Sequence, residues 1–135
     1  MEKFIDIIST VLEVTKQNFV CYKGDTLVFN LAFKQEDGTA EDITDWEVYF
    51  SMKKTRDLDD DDEGVISVDG VLSADPTTGL ATVTLTELLL SDCLGSYFYG
   101  IKYKDAEIEP NVKTVMEGKI IFLKNTVSRT APLST

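Results

Sequence analysis

Histidine is absent from this 135-residue chain, and cysteine, proline and tryptophan are scarce, with two, three and one copies. Without histidine the commonest general base and a favoured zinc ligand are both missing, so an enzyme is not expected. Cys21 and Cys93 are too few and too widely spaced for a disulfide framework or a thiolate metal site. Both are expected to be free thiols in a reducing compartment. Long apolar runs are missing too: "MEKFIDIISTVLEV" is broken by Asp6 and Glu13 and carries only Lys3 beside Glu2, so neither a signal peptide nor a membrane span is expected. Positive charge is in short supply, 13 basic against 24 acidic residues, which leaves a net charge of −11. Such a field repels phosphate, so neither nucleic acid nor membrane insertion is expected.

What the chain does have is alternation. In "DTLVFNLAFK" Leu27, Phe29, Leu31 and Phe33 fall on one face of a strand, and Thr26, Asn30 and Lys34 on the other. The same period puts Trp46, Val48, Phe50 and Met52 inward in "DWEVYFSMKK", and Ala81, Val83 and Leu85 inward in "LATVTLT". In "SYFYGIKYK" it groups Tyr97, Tyr99, Ile101 and Tyr103. Turn chemistry at "EDG" (Glu36 to Gly38), "VDG" (Val68 to Gly70) and "DPTTG" (Asp75 to Gly79) separates the runs at spacings that suit antiparallel neighbours. With "FVCY", "VISV", "VLSA" and "TVMEGKIIFLK" the count reaches seven or eight strands. The expected fold is all-β, an antiparallel sandwich.

One helical turn is expected, in "TELLLSDCLG", which opens on a threonine cap and ends at Gly95. The N-terminal "FIDIISTVLEV" has Phe4, Ile8, Val11 and Leu12 at helical spacing, but Ile5, Ile7 and Val14 break the stripe and leave its state open. At this length one domain is expected, burying roughly two-thirds of its unfolded surface. Its expected parts are a segment over 1–18 that is an assembly arm or a first strand, a sandwich over 19–124, and a mobile tail over 125–135.

Two resemblances follow from particular residues. In "LLLSDCLGSYFYG", Asp92, Gly95 and Tyr97 lead into a strand as at the E-to-F corner of immunoglobulin-like sandwiches, where the tyrosine hydroxyl bonds back to upstream backbone. Trp46 resembles the core tryptophan of that class, while Cys21 and Cys93 do not occupy its inter-sheet disulfide positions. A narrower resemblance covers roughly Tyr22 to Leu123. Its pieces are Gly24-Asp25 before a strand, the Asp37-Gly38 turn, Asp42-Ile43-Thr44 leading into Val48 to Lys54, Thr78 to Thr86, and Gly95 to Tyr99. In that order they resemble the immunoglobulin-like domains of tailed-bacteriophage baseplate, collar and fibre-attachment proteins. This resemblance implies a structural component of a phage or prophage tail, located in the virion, assembled as a ring in the bacterial host cytoplasm with other tail proteins, and without catalytic residues.

The residues themselves offer few competing chemistries. Six carboxylates crowd the seven positions from Asp57 to Glu63. Asp59, Asp61 and Glu63 match alternate ligand positions of a calcium loop, but Gly70 stands where the bidentate glutamate belongs and the flanks have strand period. They are weak calcium candidates, and a mobile, solvated loop is the expected state; no metal site or cofactor is expected. Cys21 and Cys93 read as small hydrophobes rather than nucleophiles. Outward aromatics, Tyr49 and Phe98, leave open a surface-displayed recognition module, an adhesin or glycan binder, as the alternative function.

The last strand is more informative. In "GKIIFLK" Ile120 and Phe122 share one face and Ile121 and Leu123 the other. A strand apolar on both faces is covered on both, or carries a bulge that resets its parity. The expected cover for Ile121 and Leu123 is a neighbouring subunit or the N-terminal segment with Phe4, Ile5, Ile7 and Ile8.

Overall fold

Strands that are apolar at every second position have one face to hide, and two such faces laid together make a sandwich. The computed structural model of the chain, which describes residues 2–8, 14–55, 57, 64–108 and 112–124, has this arrangement. Its elements are β1 (Glu2–Ile8), β2 (Thr15–Lys16), β3 (Phe19–Tyr22), β4 (Leu27–Lys34), β5 (Glu47–Lys53), β6 (Ile66–Asp69) and β7 (Val71–Leu72), followed by a 3-10 turn (Pro76–Thr78), β8 (Leu80–Leu85), the helical turn α1 (Glu87–Leu90), β9 (Gly95–Lys104) and β10 (Val112–Leu123). One sheet orders β1-β4-β8-β7; the other runs β10-β9-β5-β6, with β2 and β3 both on the far side of β10 from β9.

The all-β sandwich is the expected one, but its sheets are mixed and it has ten strands among the described residues rather than seven or eight. β1 runs parallel to β4, from Glu2 opposite Val28 to Ile8 opposite Lys34. Parallel pairing recurs where β2 and β3 meet β10. Apolar period decides which face of a strand is hidden; it says nothing about the direction of the neighbour.

Inside, the alternating residues meet as their parity requires. Phe29 centres an aromatic cluster, 5.3 Å from Phe19, 5.7 Å from Phe50 and 6.0 Å from Tyr99 between ring centroids. Each such ring, fully buried, contributes about 1.5–3 kcal/mol through area removed from water. Trp46 departs from its expected place. It precedes β5, because Asp45 takes a left-handed conformation (φ 64°) that turns the chain out of the sheet. The half-buried indole instead caps one end of the core, stacked 4.5 Å from Tyr103 and edge-on to Phe33.

Three loops repeat one device, an aspartate two residues before a threonine. The Oδ1 atoms of Asp37, Asp42 and Asp75 each accept from the amide and hydroxyl of Thr39, Thr44 and Thr77. The Thr39 hydroxyl and then its amide hold the Asp37 carboxyl below its ordinary value, and Thr44 does the same for Asp42. Gly79, at φ 73°, ends the third loop where a Cβ would stand 2.3 Å from the Phe33 carbonyl. "VDG" proves not to be a tight turn. Gly70 is the step by which the chain crosses from one sheet to the other, and a Cβ there would sit 2.9 Å from Val48 Cβ. Helical turn α1 forms where expected, with the Thr86 hydroxyl accepting from the Leu89 amide and Leu90 buried beneath it.

Candidate functional site

β10 carries the bulge that its two apolar faces suggest, but upstream of the expected stretch. The register against β9 shifts between Thr114 and Met116, and consecutive Val115 and Met116 both turn inward. Beyond it parity is unbroken: Ile120 and Phe122 are buried, whereas Ile121 is 36% and Leu123 42% exposed. The N-terminal segment does not cover them. β1 lies on the opposite sheet, where Ile5 and Ile7 pack into the core, Ile8 is half-buried and Phe4 faces outward. Core burial of alternate residues takes precedence, because one strand cannot serve two sheets at once.

What stands beside Ile121 and Leu123 is β3. Val20 lies opposite Ile121 and Tyr22 opposite Leu123, and both side chains are exposed. Exposed Leu94, immediately before β9, lies one position beyond the Gly95–Phe122 pair. These five residues form an apolar strip at one end of the outer face of the larger sheet. Val20 and Tyr22 went unnoticed in the sequence although "FVCY" carried the signal, since its outward positions are apolar as well as its inward ones.

Next to the strip the β2–β3 strand is interrupted without losing register: Lys16 pairs with Glu117 and Phe19 with Ile120. Between them the Gln17 amide still donates to the Glu117 carbonyl, at 3.1 Å. Its own carbonyl turns away from the ladder and accepts from the Tyr99 hydroxyl at 2.6 Å. The Asn18 side chain takes over the vacated ladder position, its Oδ1 accepting from the Lys119 amide at 2.9 Å. Gly118 permits this, because a Cβ there would lie 2.1 Å from the Gln17 carbonyl. Burial, with the nearby Glu117 charge, pushes the Tyr99 hydroxyl well above its ordinary value. A polar hollow of about 260 Å³ opens here, lined by Lys16, Asn18, Glu117, Gly118 and Lys119. A second, of about 190 Å³, lies over Gly100 between Lys53, Phe98 and Lys102.

The corner residues come together beside the strip. Lys54 Nζ donates to the Leu94 carbonyl at 2.8 Å and lies 4.6 Å over the Tyr97 ring. Burial raises the Tyr97 hydroxyl, its contact with Cys93 adds to this, and a backbone hydrogen bond at Leu94 opposes it. Gly95 takes the positive φ (89°) that the corner needs, and Asp92 is exposed. Burial also pushes both thiols up: Cys21 despite Lys3, and Cys93 despite Tyr97 and Lys54.

Asp59, Asp61 and Glu63 lie outside the described residues, as does the segment 125–135. Among the described residues no group of three or more metal-ligating side chains gathers, and no helix is long and apolar enough to cross a membrane. The outward aromatics are not gathered into a platform: the Tyr49 hydroxyl is bonded to Glu47, and Phe98 is half-buried with Lys119 Nζ 5.3 Å from its centroid.

No family model matches the sequence, and no curated protein matches it. Among solved structures, auracyanin A, a blue copper protein from Chloroflexus aurantiacus, aligns over 91% of this chain and 100% of its own at 16% identity and a TM-score of 0.41. The N-terminal domain of phage TP901-1 ORF48 aligns over 90% of this chain and 97% of its own at 12% identity and a TM-score of 0.50, and at that identity the likeness is one of fold: the sandwich resembles a domain of a phage protein.

Proposed function

We propose that this chain is a non-enzymatic structural protein of a phage or prophage tail, which self-associates into a ring of collar or baseplate type and attaches to other tail components in the virion. The observation that carries the reading is the fold likeness to the phage domain, which spans nearly all of both chains. Supporting it is the strip of Val20, Tyr22, Leu94, Ile121 and Leu123, apolar side chains open to solvent in a strongly acidic chain. Exposed apolar sheet ends of this kind favour association. If the strip of one copy meets a different surface of the next, such head-to-tail contacts close into rings when the rotation permits. The partners are then other copies and other tail proteins; the negative field argues against nucleic acid.

Light scattering on the full chain tests this reading. A discrete closed oligomer is expected for the native protein, and its loss in Ile121→Asp/Leu123→Asp. A protein that stays monomeric at high concentration and binds no purified tail component overturns it.

A further inference from the structure

The apolar strip stands open to solvent, and the chain leaves the sandwich directly beside it. Leu123 is the last residue of β10, fixed there by the Lys23 amide, which donates to its carbonyl at 2.8 Å. Beyond Lys124 the sequence continues for eleven residues, "NTVSRTAPLST", which lie outside the described residues. Fully extended, they reach at most about 36–40 Å.

This segment differs from the rest of the chain in charge. None of the 24 acidic residues lies beyond Glu117, whereas Lys119, Lys124 and Arg129 do. Copies with a net charge of −11 repel one another, and this end lacks the carboxylates that drive the repulsion. Its pattern is that of a one-sided strand: Val127, Ala131 and Leu133 fall at alternate positions, broken only by Arg129, with Thr126, Ser128 and Thr130 on the other side. The strip offers such a segment an apolar floor.

The direction of the exit says whose strip it meets. β10 points the chain away from the sandwich, with Ile121 behind the exit. A return to its own strip needs an immediate reversal over 124–127, where Lys-Asn-Thr-Val has Asn125 but no glycine or proline. Thr126 and Val127 are β-branched and favour extended backbone. A segment that carries straight on passes the end of its own sandwich and reaches a second copy.

We infer that the segment 125–135 of one copy lies over the strip of the next, with Val127, Ala131 and Leu133 packed on its apolar side chains. The inference rests on the self-association proposed above and supplies the other half of that contact. Each copy has one arm and one strip, so the contact is head-to-tail. A closed ring then leaves no strip open.

Sedimentation velocity on full-length chains tests this with two variants that break opposite halves. Val127→Asp/Leu133→Asp removes the apolar side of the arm, and Ile121→Asp/Leu123→Asp that of the strip. Each alone is expected to be monomeric where the native protein associates, with an unchanged melting temperature that confirms the fold. Mixed in equal amounts at high concentration, they are expected to form a one-to-one dimer and nothing larger, because the intact arm of one meets the intact strip of the other and both remaining halves are blocked. An arm variant that associates as well as the native protein, or better, overturns the inference and leaves the ring to some other surface. Mixed variants that stay monomeric overturn it as well. A native protein monomeric at every concentration removes both the arm contact and the ring. Open chains of varied length, lost in both variants and replaced by the dimer on mixing, would remove the ring and keep the arm contact.

Discussion

The two outer faces of the sandwich are built by the same alternation and differ in almost everything else. On the larger sheet the outward positions of β9 and β10 include Lys102, Lys104, Glu117 and Lys119, and the exposed apolar strip sits at the end nearest Leu123. That sheet is also irregular, with a bulge at Thr114 and an interruption at Gln17 and Asn18. The smaller sheet is regular in its β1–β4–β8 ladders and presents Phe4, Leu80 and Val71 to solvent, with, among the described residues, the Asp6–Lys34 ion pair and the unpaired Asn30 amide. Strand period alone thus says which side chains leave the core. Whether they leave it for water or for another protein depends on their chemistry.

The sharpest way to break this contrast is within β10 itself, where neighbouring residues belong to different worlds. Phe122→Ala, on the inner face, is expected to cost about 3–5 kcal/mol in urea unfolding. Ile121→Lys, one residue away, is expected to stay within about 0.5 kcal/mol of the native protein when both are unfolded at a dilution where they are monomeric. Equal losses at the two positions would mean that Ile121 is core and that the strip is no surface.

Smaller is the effect of restoring a side chain at the interruption. Gly118→Ala places a methyl against the Gln17 carbonyl and is expected to cost about 1–3 kcal/mol, as overpacking does. A neutral result would mean that the β2–β3 crossing is not held as described. Smaller still is Tyr99→Phe, which orphans the Gln17 carbonyl and is expected to cost about 1 kcal/mol. Burial holds the hydroxyls of Tyr97, Tyr99 and Tyr103 above their ordinary 10.0. The folded state therefore prefers the neutral phenols, so their contribution is fully present below pH 10 and is lost as pH rises beyond it. Melting temperatures measured from about pH 9 to 12 should fall more steeply for the native protein than for Tyr99→Phe.

Much of this architecture is legible in the sequence, for a physical reason. β4, β5, β8 and β9 alternate without interruption, and each inward residue read within those strands is buried, from Leu27 to Tyr103. Trp46 keeps the parity but falls outside the strand, because a left-handed Asp45 is a backbone event that side-chain period does not record. Parallel pairing of β1 with β4 is equally silent, since direction is chosen by the whole packing. The outward strip was half visible through Ile121 and Leu123. Its other half required knowing that β3 is the neighbour of β10, a long-range fact. Asn30 reads in sequence as an ordinary outward polar residue, and only the folded structure shows its Nδ2 to be buried and, among the described residues, unpaired.

Electron micrographs of the purified full chain at high concentration test the central claim most directly. Closed rings of uniform size, abolished by Ile121→Asp/Leu123→Asp, are the predicted result. A field of single small particles under the same conditions, together with no binding to tail components, would contradict it.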